Sequence, residues 1–456
     1  MSVELWNHQE FTVDKFSRSQ RGYDMSDPGT GKTATHLSIY NRRASAGRLL
    51  ILCPRTLMRS AWGADIEKFF PHLTYSIADA KNRFNAFAVD TDVVIMNLDG
   101  VKDVAALTKA QQKLLLNEFD HLVIDEVTGY KHATSQRSKA ASKIAPHFDW
   151  RFGLSGTPNP ISVTELWHPM LIIDGGQRLG KSFYNFRNAM QVPTQVGPKP
   201  NHLRWDDRPD AQDIAMHLLQ DVTVRHDFEE VMVNVPENHV DTKHFDIPPK
   251  LRKMYDTLER SSILQLEQDG VSVVHAAAVR TKLLQLLSGA VYSSPESYEI
   301  VDDTRYRLVV ELVQECEHSL TFFQWKHQRD LLADYFNKAG IRFAVMDGET
   351  SDDARAEIVK RYQNGEYDTL LMHPRTGAHG LTLTRGTRTI VVSPIYEADV
   401  LKQIKHRVYR GGQDQITNMV LVCARGTVEE LVYEKLQDRS LKMDGFLRLM
   451  KEASKL

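Results

Sequence analysis

The sequence is poor in several things, and each shortage removes a class of protein. Only three cysteines, Cys53, Cys316 and Cys423, occur in 456 residues, far apart and without metal-ligand spacing. They read as buried free thiols of a reducing compartment, not as a disulfide framework or a structural metal site. No apolar run approaches the ~18 residues of a membrane span. The start, MSVELWNHQEF, lacks the basic residues and apolar stretch of a signal peptide. The expectation is therefore a cytoplasmic protein without membrane or structural metal. Positive charge is not in excess either. With a formal net charge of −2, any nucleic-acid site would be a local groove rather than a general basic surface. Low-complexity segments and short-period repeats are missing.

What the chain does have is length for two large domains or about three of roughly 150 residues, and short apolar runs at intervals. These are LLILCP (49–54), DVVIMN (92–97), HLVIDE (121–126), WRFGLSGTP (150–158), SLTFFQW (319–325), IRFAVMDG (341–348), DTLLMH (368–373), TIVVSP (389–394) and NMVLVCA (418–424). Helical patterns such as ARAEIVKRYQN (354–364) lie between them. Apolar runs alternating with helices are the pattern of buried parallel strands joined by crossovers, an α/β fold. Ligands of such sheets bind beyond the carboxyl ends of the strands, so the polar residues there matter most. The runs fall into two blocks, roughly 20–160 and 319–425. The stretch 161–235 reads as a helical and Pro-rich insertion, strand-poor around QVPTQVGPKPNHLRWDDRPD (191–210), and 250–290 reads as helical. With the change of domain near Pro236–Pro249, the expected lobes are 1–240 and 241–456.

MSDPGTGKT (25–33) carries the clearest chemistry. A Gly-containing turn entering a helix offers backbone N–H groups to phosphates, here from Gly29, Thr30 and Gly31. Lys32 would reach the β/γ-phosphates and Thr33 would hold Mg²⁺; the bland alternative is a Gly-rich turn before a helix. HLVIDE delivers two adjacent carboxylates. Asp125 would hold Mg²⁺ and Glu126 would orient and deprotonate the attacking water, unless this is only a strand ending in a charged turn. Ser155 and Thr157 of SGTP would sense the γ-phosphate. In QIKHRVYRGGQ (403–413), Arg407 and Arg410 are three apart and share one face of a helix. They are expected to place charge at the γ-phosphate of a nucleotide bound in the other lobe, with Gln403 helping to place the water. The alternative is a solvated basic helix.

In this order the motifs resemble a superfamily-two helicase motor, and within it the Swi/Snf-like DNA translocases, over nearly the whole chain. LWNHQ (5–9) is similar to the adenine-reading glutamine motif and gives Gln9. LILCPRTL (50–57), backed by Trp62 and Glu67, is similar to the first DNA-contacting motif. SGTPNP with ELW (165–167) is similar to the third motif. FFQW (322–325), MDGETS (346–351), HPRTGAHGLTLT (373–384), QIKHRVYRGGQ and GTVEE (426–430) are similar to the second lobe. Thr128 stands where the family often has histidine, and Pro28 where this branch usually has methionine.

The resemblance implies two RecA-like lobes, ATP and Mg²⁺ as cofactors, and DNA contacts at Arg55, Thr56, Asn97, Lys131, Gln324, Trp325 and Thr376. It implies a DNA-stimulated ATPase moving on duplex, forked or branched DNA, a compact viral or bacterial motor acting in replication, recombination or repair. Such a motor would be a monomer in the cytoplasm, the host's if viral. The alternatives are an RNA helicase, the motor subunit of a restriction system, or an ATP-gated clamp that binds DNA without turnover.

Overall fold

The computed structural model describes residues 4–43, 47–158, 162–196, 202–269, 273–294, 297–377, 381 and 383–437. The chain divides into two compact units, Met1–Val233 and Asn234–Asp438.

In the first unit the strands are β1 (Arg21–Asp24), β2 (Arg48–Cys53), β3 (Tyr75–Ala78), β4 (Val93–Asn97), β5 (Phe119–Asp125), β6 (Trp150–Leu154), β7 (Gln191–Gln195), β8 (Leu203–Asp207) and β9 (Thr223–Val224). Seven of them form one sheet in the order β3-β4-β2-β5-β6-β1-β9, with every pairing parallel. Side chains alternate across a strand, and this sheet is buried on both sides. Leu50, Leu52, Val94, Met96, Leu122 and Ile124 enter one apolar layer, and Leu49, Ile51, Val93, Ile95 and Val123 the other. The continuous apolar runs of β2, β4 and β5 follow from this double burial.

The stretch 191–210 is not strand-poor. It holds β7 and β8, an antiparallel ribbon in which Pro193 faces Trp205. Polar, largely exposed strands carry no apolar alternation, and a two-stranded ribbon leaves an edge where proline costs no ladder bond. Pro198, Lys199 and Pro200 lie outside the described residues.

In the second unit the strands are β10 (Asn238–Phe245), β11 (Ala290–Ser294), β12 (Ser297–Ile300), β13 (Ser319–Phe322), β14 (Phe343–Met346), β15 (Thr369–Met372), β16 (Arg388–Val391) and β17 (Thr417–Ala424). Six form a sheet in the order β10-β17-β16-β13-β15-β14, again parallel throughout. Residue 240, where the sequence divides the lobes, lies inside β10. The stretch 250–290 holds the helices Pro249–Asp269 and Val273–Leu287. A buried ion pair ties this unit together. Arg305 donates to Glu429 Oε1 at 2.6 Å and to the carbonyls of Val392 (2.6 Å) and Leu287 (3.2 Å), while Glu429 Oε2 accepts the Ala424 amide at 2.8 Å. Among the described residues no helix is long and apolar enough to cross a membrane.

Candidate active site

The loop after β1 enters α2 (Lys32–Asn41) through two glycines in the left-handed region, Gly29 (φ 87°) and Gly31 (φ 81°). A side chain there would be strained. A Cβ on Gly31 would also run into the amide of Gln9. Gln9 sits on α1 (Asn7–Phe16), accepts the Trp6 amide at 2.9 Å and donates to the Gly31 carbonyl at 3.1 Å. The neighbouring His8 ring lies 2.9 Å from the Thr30 carbonyl, and its burial lowers its pKa. Lys32 Nζ donates to the carbonyls of Ser26 (2.7 Å) and Asp27 (2.9 Å), so the ammonium lies over the loop. Thr30 Oγ1 donates to the Asp27 carbonyl at 2.8 Å, and Thr33 follows Lys32 in the first turn of α2.

Two further contacts brace this loop. Asp24 accepts the Ser26 amide at 2.9 Å and lies 3.3 Å from His36 Nε2. Burial alone would raise the Asp24 carboxyl, but the His36 hydrogen bond, the His36 and Lys32 charges and the Ser26 bond hold it well below the usual range. After β9, Arg225 pairs with Asp27 at 2.8 Å and donates to the Met25 carbonyl at 2.7 Å. The Phe228 amide donates to Asp27 Oδ2 at 3.0 Å. Sequence reasoning missed Asp24, His36, Arg225 and the short strand β9 that carries Arg225 to the loop. Arg225 has no motif around it, and β9 is only two residues long, too short to be seen by periodicity.

Strand β5 ends at Asp125, whose Oδ2 accepts the indole N–H of fully buried Trp62 at 3.0 Å. The next residue, Glu126, has φ 56° and ψ 52°; among the described residues it is the non-glycine with positive φ. Such a backbone is uncommon for glutamate and costs on the order of 1 kcal/mol or more. It turns the chain sharply off the strand end. Thr128 Oγ1 then lies 3.4 Å from Ser155 Oγ, and Ser155 Oγ accepts the Thr157 amide at 3.2 Å. A Cβ on Gly156 would meet Pro28 at 2.7 Å. The carboxylate turn, the SGT turn and the Gly-rich loop are therefore in contact through Thr128, Ser155, Gly156 and Pro28.

Other sequence-derived positions of the first unit are divided. Arg55 is exposed just after β2 and Thr56 beside it buries a hydroxyl with no hydrogen-bond partner among the described residues. Asn97 at the end of β4 accepts from Arg83 at 3.0 Å. Lys131 is paired with Glu165 at 2.8 Å rather than simply solvated.

In the second unit Arg407 and Arg410 belong to one arrangement but not to one helix. The helix Ala398–Val408 kinks at His406 (φ −81°, ψ 17°) and ends before Arg410, as Tyr409 turns away at ψ 85°. Both guanidinium groups still reach the Leu381 carbonyl, at 2.9 and 3.1 Å. Buried Gln413 fastens the turn that follows. Its amide donates to the carbonyls of Thr384 (2.9 Å), Gly386 (3.1 Å) and Val408 (3.2 Å), and its Oε1 accepts the amides of Asp414 and Gln415, both at 3.0 Å. Gln403 is buried one turn before Arg407, whose Nε donates to the Gln403 carbonyl at 3.1 Å.

Gln324 and Trp325 follow β13, with their amides on Gln328 Oε1 at 2.9 and 3.2 Å. Gln324 Oε1 and Trp325 Nε1 are buried without partners among the described residues. Each orphan of this kind costs about 1–3 kcal/mol. Thr376 is buried in the short helix Pro374–Gly377. No group of three or more His, Cys, Asp or Glu among the described residues is arranged to hold a metal.

Two family models cover most of the chain. The SNF2-related domain matches residues 17–289, and the helicase conserved C-terminal domain matches 304–412. Protein p41 of Acyrthosiphon pisum secondary endosymbiont phage 1 is 24% identical over 97% of this chain and 98% of its own length. An uncharacterized ATP-dependent helicase of Mycoplasma pneumoniae is 23% identical over 84% of this chain. The transcription regulatory protein SNF2 of Saccharomyces cerevisiae is 22% identical over 96% of this chain. The chain spans 35% and 27% of the lengths of these last two. The Sulfolobus solfataricus SWI2/SNF2 ATPase core, solved in complex with dsDNA, covers all of this chain and 96% of its own at 19% identity and a TM-score of 0.46.

Proposed function

The chain belongs to the SNF2-related family of ATP-dependent helicases, and on that premise we propose that it is an ATP-driven translocase on duplex or branched DNA. The observation that carries this reading is the loop 25–31, two left-handed glycines with the Lys32 ammonium over its carbonyls, in contact through Pro28 and Ser155 with the Asp125–Glu126 turn.

ATP with Mg²⁺ would bring a γ-phosphoryl group whose transfer spreads charge over its oxygens. The loop amides and Lys32 receive phosphates, an arrangement that suits a Gly cradle at a helix N-terminus. Thr33 and Asp125 hold the metal, with Trp62 fixing the carboxylate. Glu126 orients the water and takes its proton. Gln9 reports on the adenine end through its bond to Gly31. Arg407 and Arg410 add positive charge where it develops, and Gln403 assists in placing the water. Arg55, Thr56, Thr376, Gln324 and Trp325 contact the DNA strand, and the phosphate contacts among them position it without reading its sequence. Asn97 joins them through its side-chain N–H groups, and Lys131 by exchanging Glu165 for phosphate. A monomer acting in the cytoplasm, remodelling forks or migrating branches during replication, recombination or repair, is the setting this chemistry fits.

The test is steady-state ATP turnover of the purified chain with single-stranded, duplex, forked and four-way DNA and with RNA. Duplex or branched DNA should stimulate most. RNA as the better activator would make it an RNA helicase, and tight DNA binding without turnover would make it a clamp.

A further inference from the structure

A cavity of about 440 Å³ opens in the second unit, lined by Gln285, Tyr292, Ser293, Ser294, Gln324, Trp325 and Lys326. This lies within the range of roughly 300–1,000 Å³ usual for small-ligand sites. Its walls are held from behind. The Tyr292 hydroxyl lies 2.8 Å from His327 Nδ1, and His327 Nε2 lies 2.9 Å from Ser288 Oγ. Gln328 takes the amides of Gln324 and Trp325 and donates to Ser393 Oγ at 2.7 Å. The lining combines two aromatic side chains, Tyr292 and Trp325, with the hydroxyls of Ser293 and Ser294 and one cation, Lys326. Behind this lining lie a buried donor and a buried acceptor without partners among the described residues, Trp325 Nε1 and Gln324 Oε1.

A matching ligand is flat and apolar on its faces, carries polar edge groups for the hydroxyls of Ser293 and Ser294, and bears an anion to one side. That is the description of a nucleotide. A free nucleoside triphosphate would bring several negative charges to a single lysine, whereas a phosphodiester brings one. We propose that this pocket receives one unstacked nucleotide of a DNA strand, its base against Tyr292 and Trp325 and its phosphate at Lys326. This rests on the reading that the chain acts on DNA and goes beyond it, because backbone tracking alone requires no base pocket. A motor with such a pocket unstacks one base as it grips, and single-stranded or junction DNA offers that base at lower cost than a closed duplex.

The experiment is long-wavelength crosslinking of the full chain to a strand carrying 5-iodouracil, followed by peptide mapping. The adduct is expected on Tyr292 or Trp325, competed by unlabelled strand and not by millimolar AMP. Trp325→Ala should weaken single-strand binding about tenfold, the usual effect of losing a stacking platform. Lys326→Glu, an exposed change, should weaken it without altering the fold. Adducts confined to other peptides, with DNA-stimulated turnover intact, overturn the pocket and leave the translocase standing. Competition by AMP makes it a free-nucleotide site and overturns the DNA assignment. Absence of any DNA binding overturns both.

Discussion

Arg407 and Arg410 share one acceptor, the carbonyl oxygen of Leu381, at 2.9 and 3.1 Å. Their spacing in sequence points to a common helical face, yet the helix ends between them. Convergence is kept instead by the kink at His406 and by Gln413, which fastens the turn to Thr384, Gly386 and Val408. If the pair supplies charge to phosphoryl transfer, Arg407→Ala and Arg410→Ala should each lower DNA-stimulated turnover by roughly 10³-fold. KM for ATP should move far less, because the charge is needed mainly in the transition state. Full turnover in either variant contradicts the role.

Trp62→Phe keeps most of a buried ring but removes the N–H that Asp125 accepts at 3.0 Å. If Asp125 holds Mg²⁺, its hydrogen-bond partner is worth roughly 10–100-fold in affinity or activity. The Mg²⁺ concentration for half-maximal turnover should rise about tenfold, with much of the rate recovered at high Mg²⁺. An unchanged Mg²⁺ dependence separates Trp62 from the metal.

Burial lowers the pKa of His327 to about 4, against the hydrogen bond with Ser288, which raises it. The folded pKa lies below the unfolded one, so the neutral ring stabilises the unit fully above about pH 6.5. That contribution is lost as pH falls from there through about 4, on the order of 3 kcal/mol in all. The urea midpoint of wild type should therefore fall more than that of His327→Gln between pH 7 and pH 4.5. Parallel curves would show that His327 does not titrate across folding.

Glu429→Gln leaves the Arg305 guanidinium buried without its counter-charge. Breaking such a pair costs about 3–5 kcal/mol, whereas replacing both partners with apolar groups is often neutral. Thermal melts should show a large loss for Glu429→Gln and substantial recovery in Arg305→Met with Glu429→Leu. A silent single variant contradicts the anchoring role.

The legible parts of the fold are those buried on both faces. Runs such as LLILC and HLVID can be read because every residue is apolar or terminal, and the chemistry appears at their carboxyl ends. Strand β1, RGYD, hides because it is four residues long with charges at both ends, although it carries the Gly-rich loop. The strand β9 is shorter still, and the ribbon β7–β8 is too exposed to alternate. In the candidate site, Lys32, Asp125 and Glu126 are local motifs and can be read. The groups that brace them are not local: Trp62 reaches Asp125 across 63 positions and Arg225 reaches Met25 across 200. Lys131 reads as a free cation until Glu165, distant in sequence, is found beside it.

The proposed ATP-driven motion on duplex DNA is tested most directly by displacement of a third strand. A triplex-forming oligonucleotide is annealed to a duplex with a long flanking arm, and its release is followed with Mg²⁺ and ATP. Wild type should release it after a lag that lengthens with the arm, while Lys32→Ala and Glu126→Gln should leave it at the spontaneous rate. Wild-type ATP turnover on the same duplex, with the third strand leaving no faster than without protein, would contradict the account.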